Sequence, residues 1–454
     1  MKFTLDKRSL HNRYDMKIIT AILRRIAVFA AVLLALWAAL VAAAAIPNER
    51  IYDNMYESAF FFKDHAPYVN ESQLRLVQDN YADVILLNVT WNMGSDPFVS
   101  TLNSAYYDGN DGTTDYGENW GFYCTLEGTP PNKDYSRYWH GMAALIRPFM
   151  LFTDIDGIKL IGTIAAFVLL AVSAVLLLTK RQYFAAGVLT VSLLCVHIWN
   201  IGISLEYQPA VLVTLLLLPL YILFEKNDGM LSMLAVVSGV MIAFFDFLTC
   251  ETLTILIPLL IVFIMKKQEN RLPDLKNSLI LIIKCGGAWG LSYAGAFLVK
   301  WSAASLVTGE NKFVKALASV EERFVGEAEE LSPVKQFFLA PLANLSTLFG
   351  GTDRVEWRAV IGGLILSAVV LGAFFYLFRS KEKFDRSFTL IMLILGALPF
   401  ARFFLLNNHS YLHEFFTYRA LASSILALFA AIWYSLEFRP KKKKSTAKGG
   451  KKHG

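Results

Sequence analysis

Charge is scarce in this sequence. Asp, Glu, Lys and Arg make up 18% of its 454 residues, where a water-soluble chain carries about 25%. Cysteine is scarcer: Cys124, Cys195, Cys250 and Cys285 form no CxxC pair, which excludes a disulfide framework. Three of them fall in or beside apolar runs, where a thiol behaves as a small hydrophobe. A Walker loop, a Gly-rich nucleotide fingerprint and an HExxH motif are all missing from the sequence, so nothing in it points to direct use of ATP or a nucleotide-sugar. What is present is apolar residue, 55% of the chain, with a mean hydropathy of +0.45. Uninterrupted apolar runs of this length exclude a soluble enzyme and a disordered chain. The net charge of +6 is a matter of topology, not of nucleic-acid binding, because the basic residues flank the apolar runs and crowd into a tail.

Runs over 26–46, 158–179, 183–199, 208–224, 230–248, 252–266, 278–299, 358–378, 388–406 and 417–437 predict about ten transmembrane helices, at about 20 residues per crossing. The fold class expected is therefore an all-α polytopic membrane protein. Ten crossings put both termini on one side. Segments 1–25, 180–182, 225–229, 266–277, 379–387 and 438–454 alternate onto one face and hold 26 of the 43 Lys and Arg. Basic loops stay cytoplasmic, so both termini are expected inside a multi-pass membrane protein. The first run follows Arg24–Arg25 and resembles a signal peptide, but its 21 residues exceed a usual signal core of about 7–15 and read as an uncleaved anchor. Lys441–Lys444, Lys448, Lys451 and Lys452 read as a solvated basic tail.

The organisation that follows is a basic N-terminus (1–25), a first helix (26–46), a large extracytoplasmic first loop (47–157), helices two to seven (158–299), a second extracytoplasmic segment (300–357), helices eight to ten (358–437) and a basic tail (438–454). The first loop carries 16 Asp and Glu against 6 Lys and Arg. The second holds an amphipathic stretch around Asn311–Leu331 suited to the interface plane. Its acidic patch (Glu321, Glu322, Glu327, Glu329, Glu330) reads as a solvated helix face.

Four polar constellations gather on the outward side. Glu49, Asp53 and Glu57 recur every fourth residue and form one carboxylate stripe on a helix: either a general base or metal-bound carboxylate near the headgroups, or the solvated face of an interfacial helix. Arg137-Tyr-Trp-His140, with Arg147, combines interface anchors with groups able to stack a sugar and clamp a phosphate. Asp246 sits where one apolar helix ends and Glu251 where the next begins. A carboxylate at that depth is paired or functional, or it caps the tight turn together with Thr249. Glu206 and His197 lie in a neighbouring short loop. Asn408-His409-Ser-Tyr-Leu-His413-Glu-Phe-Phe-Thr-Tyr-Arg419 places two histidines on one helical face, better suited to sugar hydroxyls or phosphate than to zinc. Arg419 and Arg402, inside apolar runs, call for anionic partners.

This layout resembles the integral-membrane glycosyltransferases of the C-type fold (GT-C), which use polyprenyl-phosphate sugars as donors. Phe-Asp246-Phe-Leu-Thr and the 408–419 segment are also similar to stretches in uncharacterised Gram-positive cell-envelope membrane proteins. The GT-C resemblance implies a catalytic or metal-binding carboxylate soon after the first helix, which Asp53, Glu57 or Glu49 would supply, with Asp246 as a further candidate. The family's usual acidic pair is adjacent, whereas these three are spaced by four. Substrate contacts would come from Arg137, His140, Glu206, Arg402, His409, His413 and Arg419. The implied partners are a polyprenyl-phosphate-linked sugar, membrane lipids and a cell-envelope glycopolymer acceptor, with no nucleic acid. No cofactor is fixed, and a divalent cation (Mg or Mn) is left open. The alternative is a lipid-linked glycopolymer flippase or export component without covalent chemistry, in which Arg402, Arg419 and Asp246 would line a continuous path.

Overall fold

Every one of the ten apolar runs folds as a helix in the computed structural model, which describes residues 2–71, 76–110, 117–326, 331–381 and 385–438. Helix α1 (Lys2–Ala44) leads into a surface segment built from α2 (Asn48–Phe62), the hairpin β1 (Tyr68–Glu71) and β2 (Leu76–Asp79), α3 (Asn80–Asn92), α4 (Pro97–Leu102), α5 (Gly117–Leu126) and α6 (Ala143–Phe149). The bundle continues through α7 (Ile155–Thr179), α8 (Tyr183–Cys195), α9 (Pro209–Leu223), α10 (Asp228–Phe245), α11 (Leu253–Gln268) and α12 (Leu275–Thr308). Two surface helices follow, α13 (Lys312–Val325) and α14 (Pro333–Leu348). The chain then re-enters through α15 (Trp357–Leu377) and α16 (Arg386–Leu405), makes the short α17 (Asn407–Leu412) and α18 (Glu414–Thr417), and ends in α19 (Leu421–Ser435). The Lys-rich tail and Glu327, Glu329 and Glu330 lie outside the described residues.

Eight helical segments are long and apolar enough to cross a membrane. The two runs outside this set are α8 with 13 residues and α11 with 16, while α9 and α19 reach crossing length together with the short helical turns before them. The protein is thus a nearly all-α, multi-pass membrane protein. Its periphery shows which helices meet lipid: Leu291 and Leu306 on α12 are 79% and 86% exposed, and α15 is exposed along most of its length. By contrast, every residue from Leu253 to Met265 on α11 is buried. Side chains hydrophobic all round in this way belong to a central element. Helices α10 and α12 pack side by side. A Cβ at Gly239 would stand 2.3 Å from Ser292 Oγ and 2.4 Å from the Trp289 carbonyl, so only glycine permits this approach.

Helix ends are placed by local chemistry. Pro47 holds the N-cap position of α2 directly after α1, and Gly309 takes a left-handed φ of 71° to end α12. Asp154, Asp274 and Asp385 cap α7, α12 and α16 by accepting backbone N–H bonds. One end of the bundle carries ion pairs between basic loops and helix starts, with Lys266–Asp228 at 2.8 Å, Lys267–Asp385 at 2.7 Å and Arg271–Glu225 at 2.7 Å. The surface segment closes the other end. Trp139 Nε1 donates to the Ala296 carbonyl at 2.9 Å and Lys300 Nζ to the Thr101 carbonyl at 2.6 Å. Asp83 receives the Leu205 N–H at 2.7 Å and pairs with Lys159 at 2.7 Å. The large first loop is therefore bolted to the bundle rather than suspended from it.

Candidate functional site

Two cavities meet where the surface segment sits on the bundle. The larger, about 710 Å³, is walled by apolar side chains of α11, α12, α13 and α16, including Ile255, Leu259, Ile282, Phe297 and Leu398. The smaller, about 290 Å³, is lined by Tyr68, Asp79, Tyr81, Tyr135, His140, Glu206, Glu322, Asn408, His409 and His413. Arg137, Tyr138 and Arg323 line both. Arg137 lies with its guanidinium 4.2 Å from the Tyr135 ring and 5.4 Å from that of Tyr138. Arg323 approaches the Tyr138 ring at 5.8 Å. Helix α13, which carries Arg323, is docked by α17: Asn407 and Asn408 donate to the Phe324 and Glu322 carbonyls of its last turn at 2.9 Å each.

Six buried polar atoms around the smaller cavity have no partner among the described residues: Arg137 Nε, Arg323 Nε, His140 Nδ1, His413 Nδ1, Glu206 Oε1 and Asn408 Oδ1. Buried polar groups are nearly always satisfied, by protein, water or a ligand, so such a convergence leaves donors and acceptors open to water or a polar ligand. The imidazoles are fixed for this task. His140 Nε2 donates to the Tyr135 carbonyl at 2.9 Å and His409 Nε2 to the Leu248 carbonyl at 2.9 Å. Burial pulls both His140 and His413 down to about 3, so they are neutral near pH 7. With the proton of His140 committed at Nε2, its Nδ1 is a lone-pair acceptor. His413 stacks on Phe416 at 5.2 Å.

The backbone around these groups is tightly constrained. His140 adopts a φ of 54°, an uncommon conformation for a residue with a side chain. Gly141 follows, and its N–H donates to the Phe244 carbonyl at 2.9 Å. A Cβ on Gly141 would lie 2.2 Å from the Phe244 ring, so glycine is what lets this turn press against the end of α10. Opposite, Leu248 has a φ of 69°, and its carbonyl accepts from both His409 and Arg402 Nη2, the latter at 2.5 Å.

Acidity at the site comes from Asp79. It caps α3 by accepting the Ala82 N–H at 2.8 Å, and its own N–H donates to Ser204 Oγ at 2.8 Å. Its carboxyl is hydrogen-bonded to that of Glu206, an arrangement in which two carboxyls share a proton. Burial lifts Asp79 to about 6, the range in which a carboxylate works as a base near neutral pH. Burial likewise pushes the Tyr68 and Tyr81 phenols up, and they remain neutral donors.

The expected residues divide cleanly. Arg137, His140, Glu206, His409 and His413 come together at the smaller cavity. Glu49, Asp53 and Glu57 do not: all three are exposed on α2 and line neither cavity. They are the solvated face, because Ile51, Met55, Ala59 and Phe62 bury the opposite side. Asp246 caps its turn, taking the Thr249 N–H at 2.9 Å and the Thr249 hydroxyl at 2.5 Å. Arg402 borders the larger cavity and chelates Glu251 at 3.1 and 3.2 Å. Arg147 secures α1, donating to the carbonyls of Ala43 and Ile46 and to Asn48 Oδ1. Arg419 is buried 4.4 Å from the Tyr207 ring and belongs to a separate small recess with His197, Asp353 and Glu414. Arg402 and Arg419 thus line different cavities, and Asp246 lines neither of these. Among the described residues no group of three or more His, Cys, Asp and Glu is placed to hold a metal ion.

Sequence reasoning passed over Asp79 and Arg323. The signal for Asp79 was available as an Asp directly before an apolar helix, the pattern of an N-cap. Arg323 carried no signal beyond lying in the amphipathic stretch. Comparison with known proteins finds no family model, no curated protein and no solved structure that matches this chain.

Proposed function

We propose that this chain is a membrane glycosyltransferase of GT-C-like architecture. In this reading ten helices cross a bacterial plasma membrane, both termini are cytoplasmic, and the two cavities lie on the outer side. The observation that carries it is the meeting of an apolar chamber and a polar, tyrosine- and histidine-lined cavity at two arginines. A sugar linked to a polyprenyl phosphate has that same sequence of parts. The polyprenyl chain occupies the apolar chamber, the phosphate lies between Arg137 and Arg323, and the sugar enters the polar cavity.

Asp79 is the base in place of Asp53, Glu57, Glu49 or Asp246. It takes the proton of an acceptor hydroxyl on a cell-envelope glycopolymer or lipid-linked acceptor. The oxygen attacks the anomeric carbon, the bond from that carbon to the phosphate oxygen breaks, and the polyprenyl phosphate leaves with the electron pair. The arginines stabilise its charge in a site that excludes water. Glu206 orients Asp79, while His140 and His413 accept hydrogen bonds from sugar hydroxyls.

The test is complementation of a deletion strain, read by mass spectrometry of envelope glycopolymers. Loss of one sugar on deletion, restored by the parent gene and by Asp53→Asn but not by Asp79→Asn, is the expected result. Loss of a general base lowers such a rate by about 10²–10⁴. Full restoration by Asp79→Asn would remove the assignment.

A further inference from the structure

At the end of the bundle away from the candidate site, a groove of about 520 Å³ runs between α1, the start of α10 and α12. The 18 residues of α10 separate the two places, about 27 Å at 1.5 Å per residue. Arg24, Arg25 and Lys284 converge on the groove, and among the described residues no acidic side chain lines it. Arg25 is positioned by a bond from its Nε to Ser232 Oγ at 3.1 Å. None of the three cations has a carboxylate partner among the described residues. The acid at the start of α10, Asp228, is engaged instead with Lys266 on α11. The positive end of α10 adds to the field. The remaining walls include Met230 and Met233, flexible apolar side chains that adapt to a partner's shape. Beside the groove, Ile19, Ile22 and Leu23 of α1 are about half exposed, as expected of a helix turned to lipid.

We infer that this groove binds the phosphate headgroup of an anionic glycerophospholipid, with its acyl chains along α1 and the methionines. The three cations call for an anion, and the apolar surroundings call for one attached to a hydrocarbon body. Basic recesses between transmembrane helices take anionic headgroups in this way. The inference stands independently of the enzymatic reading, since none of its residues lines the candidate site.

Each basic group near an anionic headgroup is worth about fivefold in affinity, so removing all three costs about a hundredfold. The experiment is native mass spectrometry of the full-length protein released from nanodiscs of equal phosphatidylglycerol and phosphatidylcholine. The parent protein is expected to retain phosphatidylglycerol in preference. The Arg24→Gln, Arg25→Gln, Lys284→Gln variant is expected to lose that preference, and Arg25→Lys to keep it. Equal retention by the triple variant, or no headgroup preference in the parent, overturns the inference. So does displacement of the lipid by inorganic phosphate, which would mean a free-anion site, or by polyprenyl phosphate, which would mean a second donor site. Should the triple variant fail to fold, the single variants Arg24→Gln and Lys284→Gln serve, each with an expected fivefold loss. Unchanged retention in both would refute it equally.

Discussion

Arg402 offers the sharpest test of how the site is held. Its guanidinium makes two bonds to Glu251, at 3.1 and 3.2 Å, one to Ser410 Oγ at 2.9 Å, and two to the Leu248 and Thr249 carbonyls at 2.5 and 3.3 Å. Both charged side chains are 5% exposed. Arg402→Gln leaves the Glu251 carboxylate buried without its countercharge, and breaking a buried pair from one side costs about 3–5 kcal/mol. At roughly 2–4 °C per kcal/mol, melting should fall by about 6–20 °C. Replacing both partners, Arg402→Gln with Glu251→Gln, removes the stranded charge, and exchange of a whole buried pair is often close to neutral. The double variant should therefore recover at least half of the loss. The assay is thermal unfolding in lipid nanodiscs followed by tryptophan fluorescence, with a double-mutant cycle for the coupling. A single variant that melts with the parent, or a double variant no more stable than the single, would refute the pairing as the clamp on the 246–252 turn.

Three further outcomes follow from the same geometry. As the proposed base Asp79 would act only when ionised, and burial lifts it to about 6; sugar transfer should then fall tenfold per pH unit below about 6 and level off above. A pH–rate profile that is flat from about pH 4.5 to about 7.5 contradicts that assignment. Gly141→Ala forces a Cβ to 2.2 Å from the Phe244 ring and should cost about 1–3 kcal/mol by overpacking, measured as a lower melting temperature, with weaker donor binding because His140 moves with the turn. The triple replacement Glu49→Gln, Asp53→Asn, Glu57→Gln touches only exposed carboxylates and should leave both melting and envelope sugar content unchanged; a loss of that sugar would return catalysis to α2.

Much of the candidate site was legible residue by residue. Arg137, His140, Glu206, His409 and His413 stand out in the sequence because each is a polar group beside an apolar run, where burial is costly unless a role or partner compensates. The same reasoning marked Asp246, Arg402 and Arg419, which lie outside the smaller cavity: Asp246 caps its own turn, Arg402 pairs with Glu251 and Arg419 sits in a separate recess. Whether a buried polar group is consumed internally depends on neighbours far away in the chain, as Arg402 with Glu251, 151 positions apart, shows. Local spacing favoured the Glu49, Asp53 and Glu57 stripe, because a period of four looks alike whether that face meets solvent or a substrate. Asp79 has no such pattern, and its significance comes from Glu206, 127 positions further on.

By itself, the sequence determined the helical, membrane-crossing character of this protein. Apolar runs near bilayer thickness have no alternative but to satisfy their backbone within helices, and all ten formed them. It also determined that the segment 47–157, too polar to enter lipid, would fold against an end of the bundle. Only the tertiary structure decided which ionisable groups line the cavities. Partnership between side chains is a long-range property, and the turn at His140 and Gly141 pressed onto α10, together with α13 pinned by Asn407 and Asn408, is what brings an apolar chamber and a polar cavity to the same two arginines.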